Sequence, residues 1–176
     1  MTRFVLGAIV LAVGASAASA QKAENAPTFI TTVEVADVKV RYLNFKWDEE
    51  AFAAIEKGGD LPAAKRSWAI ARLYPSKPIM MDGKQISGGN LLILNPARAG
   101  APMTFEVRVI DMREVWAKPN VIAEPPPGRT LYLAPARFEK TDEVAERLTL
   151  ALSEGDGTIE LSIHYGDRRA GLAFAR

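Results

Sequence analysis

Leu148-Thr149-Leu150-Ala151-Leu152-Ser153-Glu154-Gly155-Asp156-Gly157-Thr158-Ile159-Glu160-Leu161-Ser162-Ile163-His164-Tyr165 reads as two strands and the turn between them. Leucines alternate with small or polar residues at 148, 150 and 152, and apolar residues alternate again at 159, 161, 163 and 165. Period-two alternation puts one side of each strand in a core and the other in solvent. The acidic, glycine-containing run Glu154–Gly157 supplies the residues that a tight hairpin turn needs. Gly166-Asp167-Arg168-Arg169 predicts a second turn, and Leu172-Ala173-Phe174 a closing strand.

The same signature extends back along the chain. Val33 and Val35 alternate with polar neighbours, as do Val38, Val40 and Tyr42, with a frame slip at Ala36-Asp37 that predicts a bulge or a short break. Ser67–Tyr74 alternates, with Trp68, Ile70 and Tyr74 on one side. Asp82-Gly83 joins Ile79-Met80-Met81 to Lys84-Gln85-Ile86 as a hairpin. Gly88-Gly89 leads into the apolar run Asn90–Asn95, a strand buried on both faces, and Met103, Phe105, Val107 and Val109 alternate once more. Residues 117–129 form a proline-rich crossing loop before a short strand at Leu131–Leu133.

One helix interrupts this series, at 48–57. Asp48 is suited to cap it, Glu49 and Glu50 favour the positive end of its dipole, and Gly58-Gly59 stops it. A second helical turn around Leu61–Arg66 is a weaker prediction. Eight to ten short strands at this spacing predict a mainly β fold, a single antiparallel β-sandwich-like domain over residues 28–176.

The N-terminus has a different character. Arg3 precedes the apolar run Phe4–Val13, and Ala18-Ser19-Ala20 places small side chains where a signal peptidase cuts. The expectation is a signal peptide at 1–20 and a loose leader at 21–27, with the mature chain starting at Gln21. The apolar run falls short of the roughly 20 residues that span a bilayer, so no integral membrane segment is expected in the mature chain. Export follows, to a periplasm in the first instance, with the extracellular medium as the alternative. Of 22 basic and 21 acidic residues, only Arg3 lies in the signal, so the mature chain is formally neutral. Neutrality gives no electrostatic reason to expect nucleic acid as a partner. With no cysteine, the domain must hold by packing alone in a compartment that permits disulfides.

Candidate chemistry is sparse. His164, the one histidine, shares a strand face with Glu160 and Ser162, but a nucleophile–base pair also needs an orienting acid and an oxyanion hole. One histidine and no cysteine exclude the common structural zinc sites. Glu154–Gly157 lacks the alternating acids of a calcium loop, and Met80, Met81, Met103 and Met112 match no copper-ligand spacing and read as core. No cofactor is predicted. Residues suited to binding are Trp68, Tyr74 and Trp116, aromatic groups near loops, the polyproline run Pro125-Pro126-Pro127 with Arg129, and His164. The functional expectation is a non-enzymatic binding domain for an envelope protein or a small ligand. The alternative is an envelope-acting hydrolase using His164 or a carboxylate pair.

The order of these segments resembles the exported bacterial domain-of-unknown-function family 2911. The resemblance lies in Val38-x-Val40-x-Tyr42, in Asp82-Gly83-Lys84 followed by Gly88-Gly89 and a strand, and in Glu146-Arg147-Leu148-Thr149 leading into Leu161-Ser162-Ile163-His164. Where that family carries Trp-Arg and a small-residue stretch with Asn, this chain has Trp68-Ala69-Ile70-Ala71-Arg72, and His164 stands where a tryptophan is usual. The resemblance implies the exported β fold and lends no activity.

Overall fold

The computed structural model describes residues 30–58, 65–109 and 127–176. Among these residues, ten strands and one helix follow in the order β1 (Ile30–Val35), β2 (Val38–Leu43), α1 (Glu49–Lys57), β3 (Trp68–Pro75), β4 (Ile79–Met81), β5 (Lys84–Ile86), β6 (Asn90–Asn95), β7 (Thr104–Val109), β8 (Arg129–Pro135), β9 (Glu139–Gly155) and β10 (Thr158–Ala175). They form two antiparallel sheets, β1-β2-β3-β6-β7-β8 and β5-β4-β10-β9. The inward residues of both sheets make one core, which takes Val38 and Val40 from one sheet and Ile159, Leu161 and Phe174 from the other. The sheets approach at both margins, β1 over β9 and β5 beside β8. This is the mainly β, sandwich-like domain with one short helix that the alternation predicts.

The turns show why the strands stop where they do. Asp82-Gly83 and Asp156-Gly157 both carry two consecutive positive φ angles, 46° and 72° in one and 47° and 74° in the other. That is the backbone of a two-residue hairpin matched to the strand twist. The slip at Ala36-Asp37 is a hairpin turn, not a bulge: Val35 pairs with Val38, and Ala36 takes φ 47°. The sequence conceals it because alanine is an unusual residue for that conformation.

A genuine bulge sits in β3. Ala69 pairs with Ile93 and Ala71 with Leu92, leaving Ile70 as the extra residue. Trp68 and Ile70 face the core as expected, but past the bulge the inward frame passes to Ala71 and Leu73. Tyr74, opposite Lys39, therefore turns to the outer face, which corrects its expected place beside Trp68 and Ile70.

β10 doubles back. The Arg176 amide donates to the Gly157 carbonyl at 3.2 Å, whereas a straight strand would part these residues by about 60 Å. Counting inward from that pair brings the bend to Gly166 and Asp167, and Gly166 has φ 61°. The predicted turn is there, between two arms of one long element. β9 runs 17 residues, well beyond the leucine alternation, and its first half reaches past the bend of β10. Glu139–Glu146 shows no apolar alternation because it lies largely exposed and is tied on mainly by its backbone.

Asp48 caps α1 as its sequence predicts, accepting from the Ala51 amide at 2.9 Å, and Gly58 ends it at φ 73°. Phe52 and Ile55 are buried beneath the helix. The Ile55 carbonyl, left open by the helix end, accepts from the Ala97 amide at 2.8 Å. Between β2 and α1 the chain crosses to the second sheet, where the Trp47 amide bonds to the Glu146 carbonyl and the Leu148 amide to the Phe45 carbonyl. Phe45, Trp47, Phe52 and Phe138 then close that end of the sandwich around Tyr165. The predicted turn at Leu61–Arg66 lies mostly outside the described residues.

Candidate functional site

Among the described residues, two gatherings of polar groups on outer sheet faces contain buried side chains. On the six-stranded sheet, β6 is buried on both sides, so Leu91 and Ile93 form a small apolar cluster with Ala69 behind the main core. Strand parity places Glu106 beside Ile93 and Arg72 beside Leu91. Glu106 is 4 % exposed and Arg72 6 %, unusual for charged side chains on the outside of a sheet.

Glu106 is satisfied from three strands. Arg108 reaches it through Nε at 2.7 Å and Nη2 at 3.0 Å, Thr130 through its hydroxyl at 2.6 Å, and Asn95 through Nδ2 at 3.0 Å. Asn95 in turn accepts from the Ser67 hydroxyl at 2.5 Å. The chain Ser67–Asn95–Glu106–Thr130 thus links β8 through β7 and β6 to the residue just before β3. Burial disfavours the Glu106 carboxylate, but the hydrogen bonds from Arg108, Thr130 and Asn95 outweigh it and hold its pKa below the ordinary value. It is a fixed anion with a fixed cation beside it.

Arg72 stands directly opposite Arg41 on the neighbouring strand. Burial lowers the pKa of the Arg72 guanidinium, Tyr74 opposes this and Arg41 adds to it. With Arg108 two strands away across Leu91, three arginines lie along one cross-strand row, and half-buried Tyr74 and the Lys39–Glu34 ion pair border it. Leu133, opposite Glu106, is 58 % exposed at the sheet margin.

The second gathering is at His164. Its ring lies on the outer face of β10, buried, with Nε2 3.1 Å from the Glu143 carbonyl oxygen and Nδ1 3.4 Å from Arg169 Nη2. Since a guanidinium only donates and a carbonyl only accepts, this fits the neutral ring carrying its proton on Nε2. Arg169 also pairs with the Glu143 carboxylate. Glu143 is therefore held through both its main chain and its side chain, which fastens the first half of β9 over the bend of β10. A Ser–His–acid arrangement would need a carboxylate on one ring nitrogen and the serine hydroxyl on the other; here a guanidinium and a carbonyl take those places.

The other residues singled out in the sequence are dispersed. Trp68 is buried on the inner face, its ring edge-on to Phe45 at 5.7 Å and to Tyr165 at 6.3 Å. Tyr74 borders the arginine row. Arg129 and Pro127 are exposed at the start of β8. Trp116, Pro125 and Pro126 lie outside the described residues, as does Met112. Met81 and Met103 are core. Glu154 is ion-paired with Arg176 at 2.7 Å beside the hairpin turn.

The Glu106 network was not anticipated. Its sequence trace is Glu106-x-Arg108 in an otherwise ordinary alternating strand, and only the pairing of β6, β7 and β8 brings Asn95 and Thr130 to it. Among the described residues, no three histidines or acids gather to hold a metal ion, and no helix is long and apolar enough to cross a membrane. No family model, curated protein or solved structure matches the chain.

Proposed function

We propose that this protein is an exported, non-catalytic binding domain whose recognition surface is the outer face of its six-stranded sheet. The observation that carries this reading is the Glu106 network. Packing the sandwich requires no charge there, and burying a carboxylate costs free energy unless it is fully bonded. Its satisfied bonds hold the Arg108 guanidinium in one place, in the same cross-strand row as Arg41 and Arg72, which Tyr74 borders. Groups fixed before a ligand arrives lose little freedom on binding, which favours affinity. Export rests on Arg3, the Phe4–Val13 run and Ala18-Ser19-Ala20, and it agrees with the resemblance to the exported family of unknown function. The occupant is a small ligand or an envelope protein. The histidine version of the hydrolase alternative is disfavoured by His164, whose two ring nitrogens are both engaged.

The test is thermal unfolding of the chain from Gln21 against sugars, peptides, lipid-like molecules and metals. A ligand at 100 times its Kd adds about 2.7 kcal/mol of stability. The expected result is a saturable rise in Tm that Tyr74→Ser abolishes and Glu160→Gln, on the opposite sheet, leaves intact. A shift that survives Tyr74→Ser but disappears in Glu160→Gln would move the site to the other face and overturn this reading.

A further inference from the structure

We draw no further inference here: the strongest candidate, the apolar cluster of Leu91, Ile93 and Ala69 on the outer face of the six-stranded sheet, belongs to the surface already described, and nothing among the described residues shows what covers it.

Discussion

The indole of Trp47 lies against the α-carbon of Gly166, filling the space that any side chain at that position would occupy. Gly166 is also in the left-handed region, at φ 61°. Two requirements therefore meet at one glycine: the bend of β10 needs its backbone, and the crossing segment from β2 needs its missing Cβ. The contact joins the bend to the aromatic plug, since Trp47 also meets Tyr165 with ring centroids 4.6 Å apart.

Gly166→Ala separates these demands when set beside Gly157→Ala. Gly157 has φ 74° and nothing within 4 Å of an added Cβ, so its substitution carries the backbone penalty alone, about 1 kcal/mol. Gly166→Ala adds overpacking against the indole, for a total of about 2–4 kcal/mol. Urea denaturation measures both. In a Trp47→Ala background the Gly166→Ala penalty should shrink to that of Gly157→Ala, because the ring that collides with the new methyl is gone. Equal penalties in the two backgrounds would show that backbone conformation alone fixes this glycine.

Glu106 imparts an acid dependence whose sign follows from its surroundings. Its pKa is lower in the folded chain than in the unfolded one, opposed by burial but held down by Arg108, Thr130 and Asn95. The unfolded state thus takes up its proton first as pH falls. The stabilisation is complete above the ordinary glutamate value of about 4.3 and is lost as pH falls through the lower folded value. Glu106→Gln should cost about 1–3 kcal/mol at pH 7, because it leaves Arg108 without its carboxylate. It should also flatten the decline in stability between pH 5 and pH 3. Parallel wild-type and variant curves in urea across that range would refute the assignment.

What the sequence revealed and concealed follows one physical line. Alternation reports burial on one face, so β2, β7 and the arms of β10 were legible from Val38, Phe105 and Ile159. Turn chemistry was legible where Asp-Gly supplied it and hidden at Ala36, where the backbone adopts the same region without the usual residue. The first half of β9 was invisible because main-chain bonds and the Glu143 contacts hold it, and neither leaves an apolar period. A bulge at Ile70 reversed Tyr74, since one inserted residue moves everything after it to the other face. The Glu106 network depends on sheet register, which joins residues 67, 95, 106 and 130 and has no local signature.

Tyr165 links the core to the junction between β2 and α1. Its hydroxyl donates to the Lys46 carbonyl at 2.8 Å and accepts from the Asp48 amide at 3.2 Å. Burial pushes its pKa well above the ordinary phenol value. Tyr165→Phe retains the ring packing with Phe45 and Trp47 but leaves those two main-chain groups unbonded, at a cost of about 1–2 kcal/mol. Asp48→Ala removes only the helix cap, at about 1 kcal/mol. Because the cap and the bond from the Asp48 amide to Tyr165 fix the same first turn, the two losses should not add. Denaturation of the double variant gives the coupling, and strict additivity would mean that the hydroxyl does not hold the start of the helix.

Ala36 offers the opposite case, a position where substitution should stabilise. It holds φ 47° at the tip of the β1–β2 hairpin, a region costly to any residue with a Cβ. The adjacent Asp37 anchors the tip: its carbonyl accepts from the Ser76 amide at 2.7 Å, and Lys77 and Ser76 meet its carboxylate at 3.3 Å and 3.2 Å. These bonds hold the turn in place whichever residue stands at 36. Ala36→Gly relieves the strain but adds freedom to the unfolded chain, so the net gain is about 0.5–1 kcal/mol. A rise in the urea midpoint at unchanged slope is the expected result. A fall would mean that Ala36 does not adopt the left-handed backbone in solution, and that the frame slip between Val35 and Val38 is accommodated by some other turn.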